Sequence, residues 1–460
     1  MILKEHISLF RKFSIFAAVV ILNVSVSVSQ ETPEEIYQNG LDALENKRYE
    51  DAVTEFTKFI KLKPETDEVY FERGNAYFGL EKYNLALDDY LKASKMDYYN
   101  SELYYRLGLV YNNLKQYSKA IDNFKTALEI DPNYKEAASS LAVLYFTLGE
   151  FSNAEDYYLL LADLDPKSEN AFARLGIIGI RLKHFQDAAD YYSKAIDLNP
   201  AKAEYYLGLG EAYFYLNDTA KAINNFMKSI ELNDNLAYAH YFLGEIYSKL
   251  KAYEDAVSNF TSALEIGHPE LSDAVIRRER GAAYMGLKDY ESAIKDFDFS
   301  LNLNSKDTLS YMYRGKSYME LNIDTMAAED FKSAIELDSN NSTPYVYLGI
   351  IYQKEGKYDD AMVKLSRAVK LNPKDTVALY KLGNAYFNAQ KYMDAINYYD
   401  KAIKVNPNYK VIYLNRGSAY YNLGFYRQAV SDWENAIKYD PSIYNDIKFL
   451  LTDAKSKAGT

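Results

Sequence analysis

The decisive stretch is residues 104–124, YYRLGLVYNNLKQYSKAIDNF, because residues 206–226 repeat it as YLGLGEAYFYLNDTAKAINNF. Tyr, Gly, Tyr, Ala, Ile, Asn and Phe recur at matching offsets, 102 residues or three times 34 apart. Working outward, glycines stand at 40, 74, 108, 176, 210, 244, 281, 315, 349, 383 and 417, with Ala142 completing the series. An alanine follows each of these twelve positions twelve residues later, from Ala52 to Ala429. Four residues beyond each alanine stands an aromatic residue or Leu, from Phe56 to Trp433. Ten of the twelve have a Tyr three residues after the glycine position; Ala43 and Gly179 are the exceptions. A fixed period of this length marks a repeat architecture.

Apolar residues inside each unit recur at i, i+3, i+4 and i+7, which is the helical period. In 101–134 the pattern predicts a first helix from about Ser101 to Leu114, burying Tyr104, Leu107, Gly108 and Tyr111. A second helix, from about Ser118 to Ile130, buries Ala120, Ile121, Phe124, Ala127 and Leu128. Pro132 stops it, since proline lacks the N–H and disfavours helix before it. Gly108 and Ala120 are expected to mark a close contact between the two helices, because glycine inside a helix costs about 1 kcal/mol relative to alanine. One such hairpin cannot bury its own apolar face, so copies stack.

Glycine, Tyr, Ala, aromatic and Pro at these spacings resemble the tetratricopeptide repeat family. The resemblance covers twelve repeats: 33–66, 67–100, 101–134, 135–168, 169–202, 203–236, 237–273, 274–307, 308–341, 342–375, 376–409 and 410–443. It implies an all-α fold, an α-solenoid wound as a right-handed superhelix of twelve helix hairpins. Residues 444–460 are read as a capping helix and tail, with Ile447, Leu450, Leu451 and Ala454 on the covered face. Repeat 5 holds both Gly176 and Gly179, a locally soft point. Repeat 7 is three residues longer, through GHPELSDAVIRRERG at 267–281, which sets repeats 1–7 (33–273) apart from repeats 8–12 (274–443). The insertion implies a change of angle, a flexible joint, or only a longer surface turn.

Residues 1–29 differ in kind. Lys4, Arg11 and Lys12 precede sixteen uncharged residues, FSIFAAVVILNVSVSV, and small Ser27 and Ser29. This is the pattern of a cleaved secretory signal; sixteen residues fall short of the ~20 that span a bilayer. An exported protein of the periplasm or cell envelope is expected, with an uncleaved membrane anchor as the alternative. The chain has no cysteine, so disulfides, thiolate metal sites and lipoprotein attachment are excluded. The net charge of −12 argues against nucleic acid, which needs a basic surface.

Catalytic chemistry finds little footing. His6, His184, His240 and His268 are scattered a repeat or more apart and form no ligand set. GLGEAY at 208–213 has two glycines inside a helix and lacks the third of a phosphate loop. No enzyme activity and no cofactor are expected, which leaves surface. The family resemblance implies that first helices line a concave face that binds peptide segments. By position that face takes in Tyr37, Phe71, Phe78, Tyr105, Asn112, Phe146, Phe214, Tyr241, Phe387 and Tyr421. Exposed aromatics there would anchor a partner; packed on neighbouring helices they would be core. Glu34, Glu68, Glu102, Glu136 and Glu204 start five first helices, where acids complement the macrodipole or rim a groove that favours a basic segment. Arg277 is expected to pair with Glu270, Asp273 or Glu279, or to meet an acidic partner. Asn75 and Asn384 lack the lysine one turn earlier that a carboxylate clamp for chaperone tails requires. The expected function is a protein-binding scaffold, or the recognition subunit of an enzyme complex whose catalyst is another chain. Partner identity and self-association stay open at this stage.

Overall fold

The computed structural model describes residues 31–459, so the signal segment and His6 lie outside the described residues. Among those residues every regular element is helical, and no strand occurs. Twelve helix hairpins follow one another, then a 3-10 turn at Pro441–Ile443 and a terminal helix at Tyr444–Ala458. The chain divides into two compact units, the first ending at Pro200 and the second beginning at Ala201. The first holds five hairpins, from Pro33–Glu45 with Tyr49–Leu62 to Glu169–Leu182 with Phe185–Leu198. The second holds seven, from Ala203–Tyr215 with Thr219–Leu232 to Lys410–Asn422 with Tyr426–Tyr439. The insertion of repeat 7 lies inside the second unit. Ala256, Phe260 and Ala263 before it share one apolar cluster with Ile276 and Ala283 after it.

Repeat 3 shows how a hairpin is made. Asn100 caps the first helix, its side chain accepting a hydrogen bond from the Leu103 amide at 2.8 Å. That helix, Ser101–Asn113, buries Leu103, Leu107, Gly108, Val110 and Tyr111, while Tyr104 is only half-buried. The second helix, Tyr117–Ile130, buries Ala120, Phe124 and Ala127. The glycine's partner is not the alanine expected from spacing. A Cβ on Gly108 would stand 2.5 Å from the ring of Phe124, sixteen residues on. The same crossing recurs at Gly40 with Phe56, Gly383 with Tyr399 and Gly417 with Trp433. The aromatic ring therefore lies flat against bare backbone, and burying it stabilises each hairpin by roughly 1.5–3 kcal/mol. Repeat 5 adds a second close approach, where a Cβ on Gly179 would come 2.9 Å from that of Ala188. Gly179 is thus a packing site, not a soft point.

Each hairpin turns at its fifteenth residue, which takes the left-handed conformation in all twelve repeats. Only Gly149, Gly356 and Gly424 are glycines there; Lys115 is typical of the others, with φ of 60° or nearly so (58°). Its amide donates to the Asn112 carbonyl, and that of Gln116 donates to the Tyr111 carbonyl. Two backbone hydrogen bonds thus hold a conformation that an ordinary side chain visits at a cost of about 1–2 kcal/mol. Because Ala120 is fully buried between the two helices, Ala120→Leu should overpack the hairpin and destabilise it by about 1–3 kcal/mol. An unchanged thermal melt would refute this packing.

Four hairpins carry a buried ion pair across their two helices. The arginine before the glycine grips an aspartate sixteen residues on: Arg73 with Asp89, Arg280 with Asp296, Arg314 with Asp330 and Arg416 with Asp432. Each pair is two-pronged, Nε and Nη2 donating to the two carboxylate oxygens. The remaining Nη1 reaches the second helix of the preceding repeat: Thr57, Thr261, Asp298 or Asp400. One guanidinium thus ties three helices.

The terminal helix buries Ile447, Leu451 and Ala454 against Trp433, Val430 and Ala436. Leu450, expected on the covered face, is 44% exposed. The helical period turns it to the edge once 447, 451 and 454 define the contact. Asp440 introduces this end of the chain. It accepts from Lys410 Nζ at 2.5 Å and from the amide and hydroxyl of Ser442. Those donors, Lys410 first, hold its carboxyl down at about 2. Its contribution to stability is complete above the ordinary carboxylate value and is lost as pH falls through 2. An NMR titration should find that low midpoint, and Lys410→Met should raise it towards the ordinary value.

Candidate protein interface on the first helices

Counting from the start of each repeat, the sequence candidates fall into two sets, at the fifth and twelfth residues. Members of the first set lie against the ring nineteen residues on. Tyr37 meets Phe56 at 5.9 Å, Phe71 meets Tyr90 at 5.7 Å, Tyr105 meets Phe124 at 5.9 Å and Tyr241 meets Phe260 at 6.1 Å. They roof the aromatic core on the first-helix side. Phe71 is only 3% exposed, because Tyr98 also covers it at 5.0 Å; it offers no open surface. Tyr37, Tyr105 and Tyr241 are half-buried, and the Tyr241 hydroxyl donates to Glu245 at 2.6 Å.

The second set staples the turns. Phe78 meets Tyr83, Phe146 meets Phe151, Phe387 meets Tyr392 and Tyr421 meets Tyr426, all edge-on at 5.4–5.5 Å. The partner stands five residues later, across the left-handed turn. Repeat 6 has Thr219 there, so Phe214 packs instead on Phe242 at 5.1 Å, with Lys249 Nζ 4.3 Å above its ring. Arg174 lies over Phe146 in the same manner. Asn112 is half-buried at the equivalent place. Tyr421 is engaged further by the terminal helix: its hydroxyl donates to Asp453, and Lys457 lies over its ring. None of the ten candidates is fully exposed.

The structure adds polar groups that the aromatic pattern does not disclose. Tyr90 donates to Asn75 at 2.8 Å, and Tyr399 donates to Asn384 at 2.7 Å. Asn415 bridges to Asn384 and to the Tyr380 hydroxyl. In the first unit Asn75 also donates to Glu72. Burial, then the neighbouring Glu102 and Glu68, makes Glu72 harder to ionise than an ordinary glutamate. Burial together with Glu68 and Glu72 likewise holds the proton on Tyr37, and burial with Glu102 lifts Tyr134 to about 12. The contacts of Asn415 with Asn384 and the influence of Glu68 on Tyr37 and of Glu102 on Tyr134 join neighbouring repeats, and only stacking brings those groups together.

Other candidates resolve into structural roles. Arg277 reaches Asp296 at 3.5 Å and lies over Phe299, not Glu270, Asp273 or Glu279, because Asp296 projects from the helix packed against it. Arg278 pairs with Glu279 and Asp307. Glu34 holds Lys63 and Glu102 holds Arg106. His240 Nδ1 lies 3.1 Å from Asn259, and His268 stacks edge-on with Tyr238. Among the described residues no group of His, Asp and Glu is placed to hold a metal ion. No described helix is long and apolar enough to cross a membrane.

Comparison with known proteins follows the hairpins. Models of the tetratricopeptide repeat match residues 101–134 and 376–409, then 37–97 and 175–235, then 136–168, 237–266 and 411–443; a further model matches 351–390. No curated protein matches. Among solved structures, the C-terminal part of a repeat protein from Cytophaga hutchinsonii is similar at 20% identity, with 55% of this chain and 99% of that one covered and a TM-score of 0.45. YrrB, described as having an unusual peptide-binding site, is similar at 22% identity over 42% of this chain and 97% of its own, with a TM-score of 0.38. Naa15/Naa10 bound to HypK-THB is similar at 15% over 89% and 64%, with a TM-score of 0.44.

Proposed function

The chain belongs to the tetratricopeptide repeat family, and from that premise we propose that it is a non-catalytic scaffold that binds partner proteins through its first-helix face, after export to the periplasm or cell envelope. Proteins of this family bind protein partners or peptides, and every matching family model is a repeat model. The observation that carries the reading is chemical. The second helices supply the arginine-bound aspartates and the core rings, whereas the first helices leave half-open tyrosines, amides and carboxylates outside the core. A rigid array of such groups binds without having to fold first, which lowers the entropic cost of association. The export setting rests on residues 1–29 alone.

In-cell crosslinking from Tyr105 and Tyr241, each replaced in turn by a photoreactive phenylalanine, tests the reading. Partner proteins should be captured at these sites and not from Glu129 or Asp156 on second helices. Capture of a catalytic subunit would make the chain the recognition arm of an enzyme complex. Equal capture from both faces, or none, would overturn the assignment of the interface.

A further inference from the structure

We propose that the first-helix face of repeats 1–4 docks a lysine- or arginine-rich segment of a partner protein, an inference that rests on the scaffold reading above. The charge of the chain is unevenly placed. Acidic residues exceed basic ones by 11 in residues 31–200 and by only 3 in residues 201–460. On the first unit this excess meets a strip of rings. The charges of Glu68 and Glu72 reach the Tyr37 hydroxyl, those of Glu72, Glu68 and Glu102 the Tyr98 hydroxyl, and that of Glu102 the Tyr134 hydroxyl.

The local cations do not neutralise the strip. Arg73 is committed to Asp89 and Thr57, and Lys63 to Glu34. Arg106 reaches Glu102 through Nη2 at 3.2 Å. Glu72 receives only the Asn75 amide as a hydrogen bond, at 3.1 Å, although it is half-buried and faces Glu102 and Glu68, with Arg106 as the cation that acts on it. Carboxylates in that position gain from an incoming cation more than solvated ones do.

Elsewhere on the first helices tyrosine rings already accept cations. Lys316 Nζ lies 5.1 Å from the ring centre of Tyr347 and 5.9 Å from that of Tyr313, and Lys381 lies 5.6 Å from Tyr380. Among the described residues Tyr37, Tyr98 and Tyr134 have no such cation above them. A ring face bordered by carboxylates attracts an ammonium or guanidinium by quadrupole and by charge together. Tyr37, Tyr98 and Tyr134 thus present the acceptor half of a contact that Tyr313, Tyr347 and Tyr380 complete internally.

The test is a fluorescence-anisotropy titration of the full chain with a fluorescein-labelled (Lys-Thr)6 peptide, with (Glu-Thr)6 as control. The lysine peptide should bind one to one. Glu68→Gln, Glu72→Gln and Glu102→Gln together should weaken it about tenfold. Glu129→Gln, Asp156→Asn and Asp163→Asn, which remove as much charge from exposed second-helix sites, should leave it unchanged. Equal loss in both triple variants would mean attraction by bulk charge and would overturn the proposal; so would binding no tighter than that of the glutamate peptide. If the first triple lowers the melting temperature, the double variant at Glu68 and Glu102 repeats the comparison without touching Glu72. A crosslinked natural partner bound equally well by the first triple variant would sink the basic-segment proposal while leaving the scaffold intact. Absence of any captured partner would remove the scaffold reading itself.

Discussion

Arg314→Met lowers the stability of its hairpin by about 3–5 kcal/mol at neutral pH, the range for removing one member of a buried ion pair. Arg314 donates to Asp330 at 3.0 and 2.6 Å and to Asp298 of the preceding repeat at 2.5 Å. The Asp330 side chain is 5% exposed, so water cannot replace the guanidinium. Burial already pushes the Asp330 carboxyl up, and Arg314 is the group that pulls it back. Without Arg314 the folded variant takes up a proton more readily than the unfolded chain does. Its stability therefore rises as pH falls towards the ordinary carboxylate range, and the gap from wild type narrows. Arg314→Met with Asp330→Leu should recover most of the loss at neutral pH, because no unpaired charge is left behind. Hydrogen exchange of residues 308–337 is the measurement, since a stacked array need not unfold as one unit. A variant as stable as wild type at pH 7, or a gap that widens in acid, would show that the pair is solvated.

The hairpins were legible because their signal is compositional and repeats twelve times. Glycine, alanine and an aromatic at fixed offsets read as helix crossings whatever the details. Which residues cross was less legible. Gly108 faces Phe124 and not Ala120, because the ring lying on the first helix leaves no room for a Cβ there. The turns were hidden for a related reason: most of their left-handed residues are Lys, Asn, Gln or Glu, so no glycine marks them. The arginine–aspartate pairs were visible in spacing, Arg before Gly and Asp sixteen residues on. They went unread because surface charge is the ordinary fate of such residues. The interface was the least legible part. An aromatic at the fifth or twelfth residue roofs the core or staples the turn as readily as it meets a partner, and Phe71 does only the first. What separates these roles is the neighbouring repeat, as when Tyr98 closes over Phe71.

Trp433→Ala should remove about 3–5 kcal/mol from the last hairpin, the usual cost of emptying so large a buried site. The indole is fully buried, lies against Gly417 and meets Tyr421 at a tilt, 5.6 Å between ring centres; its Nε1–H donates to the Leu414 carbonyl at 3.2 Å. It also carries the terminal helix, whose Ile447, Leu451 and Ala454 complete the same cluster. The substitution therefore opens a cavity, removes a hydrogen bond across the two helices and detaches the cover at once. Its reach should nevertheless be short. The last hairpin has a full repeat on one side and a single helix on the other, and in a stacked array each unit leans only on its neighbours. Hydrogen exchange should lose protection across residues 410–458, partly across 376–409, and not at all in 31–200. Phe124→Ala, in a hairpin with repeats on both sides, should instead loosen repeats 2, 3 and 4 together. Uniform loss of protection after Trp433→Ala would mean that stability is pooled along the chain, and nearest-neighbour stacking could not then account for it.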